Sequence, residues 1–141
     1  MANYYGVTRT NYFAVTDEDA FRQIIAGYSN PKMLVFEKVQ QDGTKLFGFG
    51  CYASLDSLKS EDGEPEDCEE ADVFYEELQG VLQEGHSIMV CETGHENLRY
   101  LISRVIVITK HDIQFIDLGD QAIRLARNML NDEGYNPIMH Y

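Results

Sequence analysis

Residue types that bind zinc occur together in the middle of the chain: His86, Cys91 and His95, with Glu92 or Cys68 as a fourth ligand. Their spacing does not match a paired zinc pattern such as C-x2-C followed by H-x3-5-H. If this segment is a strand, His86 and Cys91 are five positions apart and point to opposite faces. We therefore interpret Cys91 as a buried strand residue beside surface histidines, and expect neither a metal nor another cofactor.

Cys91 is also the best candidate for a nucleophile. A reactive cysteine needs a positioned histidine and a stabilised thiolate. The neighbouring carboxylates of Glu92 and Glu96 would disfavour a thiolate instead. No glycine pattern that could hold a phosphate occurs either, since Gly48 and Gly50 fall inside a predicted strand, where glycine marks a bulge or a close contact. The sequence therefore favours a protein that is not an enzyme.

Acidic residues are concentrated in one place. Residues 56–77 contain eleven acidic residues and one lysine, a net charge of −10 out of −13 for the whole chain. Gly63 and Pro65 interrupt regular structure, so we predict a flexible acidic insert at 56–71. Its oxygen ligands suit calcium, but the order of residues 61–67 does not fit an EF-hand loop. Such a segment repels nucleic acid and attracts basic surfaces.

Length and composition indicate a single α+β domain over residues 1–141, with 44% apolar residues. The longest apolar run, residues 105–108, is far shorter than a membrane span, and the first residues lack the features of a secretory signal. Three cysteines without framework spacing favour reduced thiols. We expect a bacterial cytoplasmic protein that binds neither membrane nor nucleic acid directly.

Hydrophobic periodicity predicts alternating strands and helices. A first strand covers residues 4–15, and Thr16 is expected to cap a helix with Asp19 in a capping box. Asp42-Gly43 is a hairpin turn between strands at 32–40 and 44–54. The remaining elements are a helix at 72–84 that Gly85 ends, strands at 87–93, 98–109 and 113–118, and a last helix from Gly119-Asp120 to about Leu130.

The helices have predicted inner faces. These are formed by Phe21, Ile24, Ile25 and Tyr28 in the first helix, by Phe74, Leu78, Val81 and Leu82 in the second, and by Ala122, Ala126 and Met129 in the last. The order β-α-β-β-α-β followed by a hairpin and a helix predicts a ferredoxin-like sandwich with an added β-hairpin and C-terminal helix. An alternative α+β strand order fits the same elements.

Aromatic and basic side chains in the strands have two interpretations. Tyr4, Tyr5, Tyr12 and Phe13 are expected to be core and cross-strand residues, although they could also stack on a partner. Arg9 is either inward and paired or outward and solvated. The remaining arginines of the last third are expected on a solvated face, namely Arg99, Arg104, Arg124 and Arg127.

The opening segment, residues 3–17, resembles a family of small proteins of plasmids, phages and integrative elements. The family core Arg-x-Asn-Tyr-Phe-x-Val-x-Asp falls on Arg9, Asn11, Tyr12, Phe13, Val15 and Asp17. Residues 96–101 resemble a second family segment, but Asn97 replaces a lysine and the chain ends differently from its relatives. The resemblance covers about 20 residues and implies a mobile-element setting without an enzymatic activity.

Small acidic proteins of mobile elements often inhibit host defence, as anti-CRISPR proteins do. We therefore expect a non-enzymatic binding protein whose carboxylates meet a basic groove of a defence effector such as a Cas nuclease. The expected partner-binding residues are Glu61, Asp62, Glu64, Glu66, Asp67, Glu69, Glu70, Glu76 and Glu77. The alternative is a regulatory or structural interaction domain of the mobile element that forms a homodimer through a sheet edge.

Overall fold

The computed structural model describes residues 4–60, 70–98 and 100–137. In this part of the chain the protein is α+β, with a six-stranded antiparallel sheet and three α-helices. The elements are β1 (Tyr5–Thr10), α1 (Glu18–Ala26), β2 (Tyr28–Asn30), β3 (Leu34–Val39), β4 (Lys45–Cys51), β5 (Lys59–Ser60), α2 (Glu70–Val81), β6 (Ile88–Glu96), β7 (Tyr100–Ile108), β8 (Ile113–Asp117) and α3 (Leu118–Leu130).

The large sheet has the strand order β3-β4-β1-β6-β7-β8, and every neighbouring pair is antiparallel. β1 and β6 are therefore central, and β3 and β8 are the edges. β2 and β5 form a separate two-stranded sheet that was not predicted. β5 and a short 3-10 turn at Leu55–Ser57 overlap the beginning of the insert predicted at 56–71. α2 begins at Glu70 and overlaps its end, so regular structure occurs at both ends of the predicted insert.

The first strand is shorter than predicted. β1 ends at Thr10, and after it only single bridges continue the pairing, from Phe13 to Phe47 and from Val15 to Leu82. These bridges direct the chain from the sheet to α1. Thr16 does not cap this helix: its hydroxyl donates to the carbonyl oxygen of Val81, whereas the side chain of Asp17 accepts from the N–H of Ala20 at 3.1 Å. Asp17 is thus the N-cap.

The predicted hairpin between β3 and β4 is present. Gly43 has a φ of +88°, in the left-handed region that favours glycine, and the side chain of Asp42 accepts from the N–H of Thr44 at 2.9 Å. Close packing explains the glycines of β4, as expected. A Cβ at Gly50 would lie 2.6 Å from the carbonyl oxygen of Thr8, so β1 and β4 could not approach with a larger residue there.

The core lies between the large sheet and the helices α1 and α2. Of the predicted inner faces, Phe21, Ile25, Phe74, Leu78 and Leu82 are buried, which confirms the helical periodicity. Aromatic rings make edge-on contacts through the centre: Phe49 meets Phe13 at 6.3 Å and Phe74 at 5.6 Å between ring centroids. Edge-to-face ring pairs add to the apolar area that these residues bury.

Three expectations about side-chain placement are wrong. Cys91 is exposed on β6, not buried. Ala122 and Met129 of α3 are exposed, and only Ala126 of the predicted inner face is half-buried. Of the N-terminal aromatics, Phe13 is in the core and Tyr5 is an exposed cross-strand partner of His95, as expected, whereas Tyr12 is exposed outside a strand.

Arg9 is the residue for which two orientations were open. It points outward, and its guanidinium lies 4.4 Å from the ring centroid of Phe36 on the exposed side of the sheet. A cation over a ring face is attracted by the ring's quadrupole, so this contact replaces the ion pair that an inward arginine would need.

None of the helices in the described ranges is long and apolar enough to cross a membrane.

Replacing Phe74 by alanine tests this description of the core. Phe74 is fully buried between α2 and the sheet, so Phe74→Ala should lower the free energy of unfolding by about 3–5 kcal/mol. Val73, its neighbour in the same helix, is 51% exposed, and Val73→Ala should change stability by at most about 0.5 kcal/mol. Denaturant unfolding followed by circular dichroism measures both, and equal losses in the two variants would contradict the assignment of this face.

Candidate functional site

The outer face of α2 carries exposed carboxylates. Asp72, Glu76 and Glu77 are all exposed, and the helix sequence contains no lysine or arginine. Asp72 is in the first turn, where a negative charge stabilises the helix dipole. Glu76 and Glu77 lie near the middle of the helix, where that effect has decayed. Their exposure as carboxylates is as predicted, although one oxygen of Glu77 accepts from the hydroxyl of Tyr28 at 2.5 Å.

Elsewhere on the described surface, several exposed acidic residues have basic partners. Glu18 and Glu37 both lie within 3.3 Å of Arg22 and of Lys45. Glu84, just after the end of α2, lies 2.9 Å from a ring nitrogen of His111. Within the ranges that the structure describes, no such cation lies beside Asp72, Glu76 or Glu77. The exposed acids of α2 therefore have no described cationic partner, and Lys110 contacts this helix near its C-terminal end, where its Nζ donates to the carbonyl oxygen of Gly80 at 2.9 Å.

Most of the predicted partner-binding residues lie outside the described residues: Glu61, Asp62, Glu64, Glu66, Asp67 and Glu69. Glu70 is the first residue of α2. Because α2 follows directly, the exposed acids of this helix continue the charge of that segment along the chain. The residues that can be discussed as a structured acidic face are Asp72, Glu76 and Glu77.

A second polar cluster was not predicted, and its centre is Glu92. Glu92 is only 5% exposed, on the face of β6 that also carries the buried Ile88 and Val90. Its Oε1 accepts from Arg104 Nε at 3.1 Å and Nη2 at 2.9 Å, and its Oε2 accepts from the hydroxyl of Tyr4 at 2.7 Å. Each oxygen therefore has a donor, as a buried carboxylate requires.

Arg104 connects this cluster to the loop after β4. Its Nη2 donates to the carboxylate of Asp56 and lies 3.5 Å from the hydroxyl oxygen of Ser54. The two carboxylates and their hydrogen bonds raise the pKa of Arg104 against the opposing effect of burial. Arg104 is thus not on a solvated face, contrary to the prediction. Asp56 is ion-paired with Arg104, and because Glu92 shares the same cation the three side chains together keep a net charge of −1.

Two glycines create the space for Tyr4. Its ring lies over Gly6 of β1 and Gly94 of β6, which are paired neighbours in the sheet. A Cβ at either glycine would come within 2.5 Å of ring atoms of Tyr4. Burial and then the hydrogen bond to Glu92 raise the pKa of the Tyr4 hydroxyl, so it remains a donor at neutral pH.

An open cleft adjoins this cluster at the end of the β6–β7 hairpin. Its polar lining residues are Ser54, Asp56, Thr93, His95, Asn97 and Ser103, beside the two glycines. The other lining residues are Tyr4, Tyr5, Val7, Tyr52, Ala53, Leu98, Leu101 and Ile102. Of these polar groups, Ser54 and Asp56 contact Arg104, which belongs to the Glu92 network. His95, Thr93 and Ser103 face the same cleft without belonging to that network.

The candidate metal ligands do not converge. His86 accepts from the N–H of Ala14 at 3.3 Å, and the ring of His95 lies 5.8 Å from that of Tyr5. Glu92 is occupied by Arg104, and Cys68 lies outside the described residues. Over the ranges that can be described, no group of three His, Cys, Asp or Glu side chains could hold a metal ion. Burial raises the pKa of the Cys51 thiol, which is the opposite of what a nucleophile needs.

The two-residue alternation of β6 indicates that Glu92 is buried, which was not predicted. Alternation places residues 88, 90 and 92 on one face, and the first two are aliphatic. A carboxylate on that face requires a cationic partner. Arg104 lies directly opposite Glu92 in the antiparallel pairing of β6 with β7.

Comparison with known proteins gives no match among family models, curated proteins or solved structures. Function must therefore be argued from the residues themselves.

Removing one partner of the Glu92–Arg104 pair should be costly. Arg104→Leu leaves a buried carboxylate without its cation, and we expect a loss of about 3–5 kcal/mol. The double variant Glu92→Leu/Arg104→Leu should be more stable than Arg104→Leu alone, because it removes both charges. The unfolding free energies of Glu92→Leu, Arg104→Leu and the double variant measure this coupling. Additive losses would show that the two side chains do not interact.

Stability should also fall at alkaline pH. Burial is the main cause of the raised pKa of both Tyr4 and Tyr75. A tyrosine whose pKa is raised by folding stabilises the folded protein at pH values below the ordinary tyrosine pKa of about 10. This contribution is lost as the pH rises from about 10 toward the raised pKa. The double variant Tyr4→Phe/Tyr75→Phe should lose less stability between about pH 9 and 11. Tyr52→Phe, at an exposed tyrosine, is the control and should keep the parent's pH dependence.

Proposed function

We propose that this protein is a non-enzymatic acidic binding protein that covers a basic, nucleic-acid-binding surface of a host defence effector, such as a Cas nuclease. The observation that carries the proposal is the row of carboxylates on α2 that has no described cationic partner. It adjoins, in sequence, the rest of a 22-residue region with a net charge of −10. The resemblance of residues 3–17 to mobile-element proteins supports the same setting.

Electrostatics explains why such a face would bind. Clustered carboxylates on a rigid helix can approach the Arg and Lys side chains that otherwise contact phosphates. Charge complementarity of this kind accelerates association and makes it sensitive to salt. Since Glu18, Glu37 and Asp56 are already paired within the protein, a basic partner would be drawn to α2 and residues 61–69.

We also propose a ferredoxin-like arrangement for the first part of the fold. The four strands β1, β3, β4 and β6 follow the chain order β-α-β-β-α-β with α1 and α2 between them. Their spatial order is β3-β4-β1-β6, with both helices packed on the core side. This order supports the proposal, in which β7, β8 and α3 are additions at one edge. A cytoplasmic location in a bacterial host belongs to the same proposal.

A regulatory or structural interaction domain is the second candidate function. The observation in its favour is that β3 and β8 have only one neighbouring strand each in the described sheet. Edge strands with free backbone groups can pair with a partner. Ionic strength separates the candidates, because backbone pairing is little affected by salt, whereas a carboxylate face loses affinity steeply.

Inhibition assays with purified nucleases test the leading proposal. The protein is titrated against a panel of RNA-guided and restriction nucleases, and DNA binding and cleavage are measured at about 50 and 200 mM salt. We expect stoichiometric inhibition of at least one effector that weakens at the higher salt. Glu76→Gln/Glu77→Gln should reduce the inhibitory affinity several-fold, and neutralising Glu61, Asp62, Glu64, Glu66, Asp67, Glu69 and Glu70 should reduce it further.

The matched control is Glu96→Gln/Glu133→Gln, which makes the same change in net charge away from α2. It should inhibit as the parent does. If neutralising the α2 and 61–70 acids leaves potency unchanged against an inhibited effector, the carboxylate mechanism is wrong. If the control weakens inhibition equally, only net charge matters and the α2 face has no specific role.

A further inference from the structure

The last helix has an apolar row that is exposed and does not pack against the described part of the chain. None of the residues of α3 is buried, although the helix is strongly amphipathic. The exposed fractions are 61% for Leu118, 60% for Leu125 and 77% for Met129, and Ala122 between them is also exposed. Isolated exposed leucines are ordinary, but a continuous row along one helix is not.

This row is distinct from the side of α3 that packs on the sheet. α3 contacts β7 and β8, and its half-buried residues Ile123, Ala126 and Arg127 lie on one side. The exposed row is displaced from that side by about a quarter to a third of a turn, from the 3.6-residue helical period. The polar residues Gln121, Arg124 and Asn128 occupy the remaining side. The apolar surface of the helix is thus wider than the sheet covers.

The spacing of the row is that of a helix–helix seam. Leu118, Ala122, Leu125 and Met129 follow one another at intervals of four, three and four residues. This is the d-a-d-a pattern of a coiled coil, in which each side chain fits between residues of a facing helix. A flat or strand-shaped partner would not require that spacing, so the pattern indicates a second helix.

We propose that the facing helix is α3 of a second copy of this chain, related by a two-fold axis and antiparallel. In that arrangement the axis passes between Ala122 and Leu125. The small Ala122 then faces Leu125 of the second copy, and Leu118 faces Met129. A two-fold interface must be complementary to itself, and the pairing of the small Ala122 with the larger Leu125 on both sides of the axis satisfies that condition.

Charge also favours a second copy over a charged partner. The chain carries −13, and association of two copies is opposed unless the contact avoids the acidic surface. Residues 100–141 account for only −1 of that charge. The positions that flank the seam are Gly119, Gln121, Ala126 and Asn128, which are uncharged and would not repel their equivalents. Basic or acidic partners would find no complementary charge at these positions.

The size of the row predicts the strength of the dimer. Its exposed side chains offer on the order of 400 Å² per copy, about half of what each partner contributes to a standard stable interface. A contact of this size is typical of a weak, reversible dimer. The inference is independent of the proposed function, because it needs neither the acidic face nor a defence effector.

Sedimentation of the full chain tests the dimer without any other protein. Between about 5 and 500 µM, the weight-average mass should rise from 16.1 kDa toward twice that value. Leu125→Asp and, separately, Met129→Asp should each raise the dimer dissociation constant at least tenfold. Both sites are exposed, so the unfolding transitions of the variants should match the parent's. Met129→Leu, which keeps the seam apolar, should retain the dimer.

Leu98→Asp is the control, since Leu98 is an exposed leucine in the β6–β7 turn, away from the seam. It should dimerise as the parent does. A parent chain that remains monomeric up to about 500 µM would overturn the proposal and leave the row for a different partner. So would a dimer that persists unchanged in Leu125→Asp and Met129→Asp, because its contact would then lie elsewhere.

Discussion

A buried carboxylate must be paired, and at Glu92 that requirement organises the open end of the sheet. The side chain lies on the core face of the central strand β6 and is 5% exposed. Arg104 reaches it from β7, Tyr4 from the segment before β1, and Asp56 from the loop after β4 is a second carboxylate on the same guanidinium. Segments far apart in sequence are thus held together by one network. Because leaving one partner out costs several kcal/mol, the network specifies their positions as well as connecting them.

The same network separates two kinds of acidic residue. The carboxylates of Asp56 and Glu92 are bonded to Arg104, and one oxygen of Glu77 accepts from the hydroxyl of Tyr28. Glu76 and Asp72 have no described cationic partner. Part of the remaining surface charge is paired locally, as Glu18 and Glu37 are with Arg22 and Lys45. Recognition by a basic surface and self-association through α3 would then use different parts of the molecule.

Local patterns in the sequence predicted the elements well. The 3.6-residue period located the buried faces of α1 and α2, and Asp42-Gly43 located the β3–β4 turn. Local patterns cannot reveal contacts between distant segments. Thr16 looked like a cap because nothing local indicates that its hydroxyl bonds to Val81, and Arg104 looked solvated because its partner lies on another strand. Met129 was placed inward because an apolar face is normally buried within its own chain. The predicted site at residues 61–69 lies outside the described residues, so it stays a prediction.

The packing of Tyr4 over Gly6 and Gly94 links three positions that are up to ninety residues apart. Any side chain at either glycine would displace the ring and leave one oxygen of Glu92 without its donor. A substitution at one glycine alone would therefore require the Tyr4 ring to move. Among homologous chains we expect Tyr4, Gly6 and Gly94 to vary together. Either the tyrosine and both glycines are kept, or a larger residue at one of the glycines accompanies the loss of the tyrosine and of the buried carboxylate.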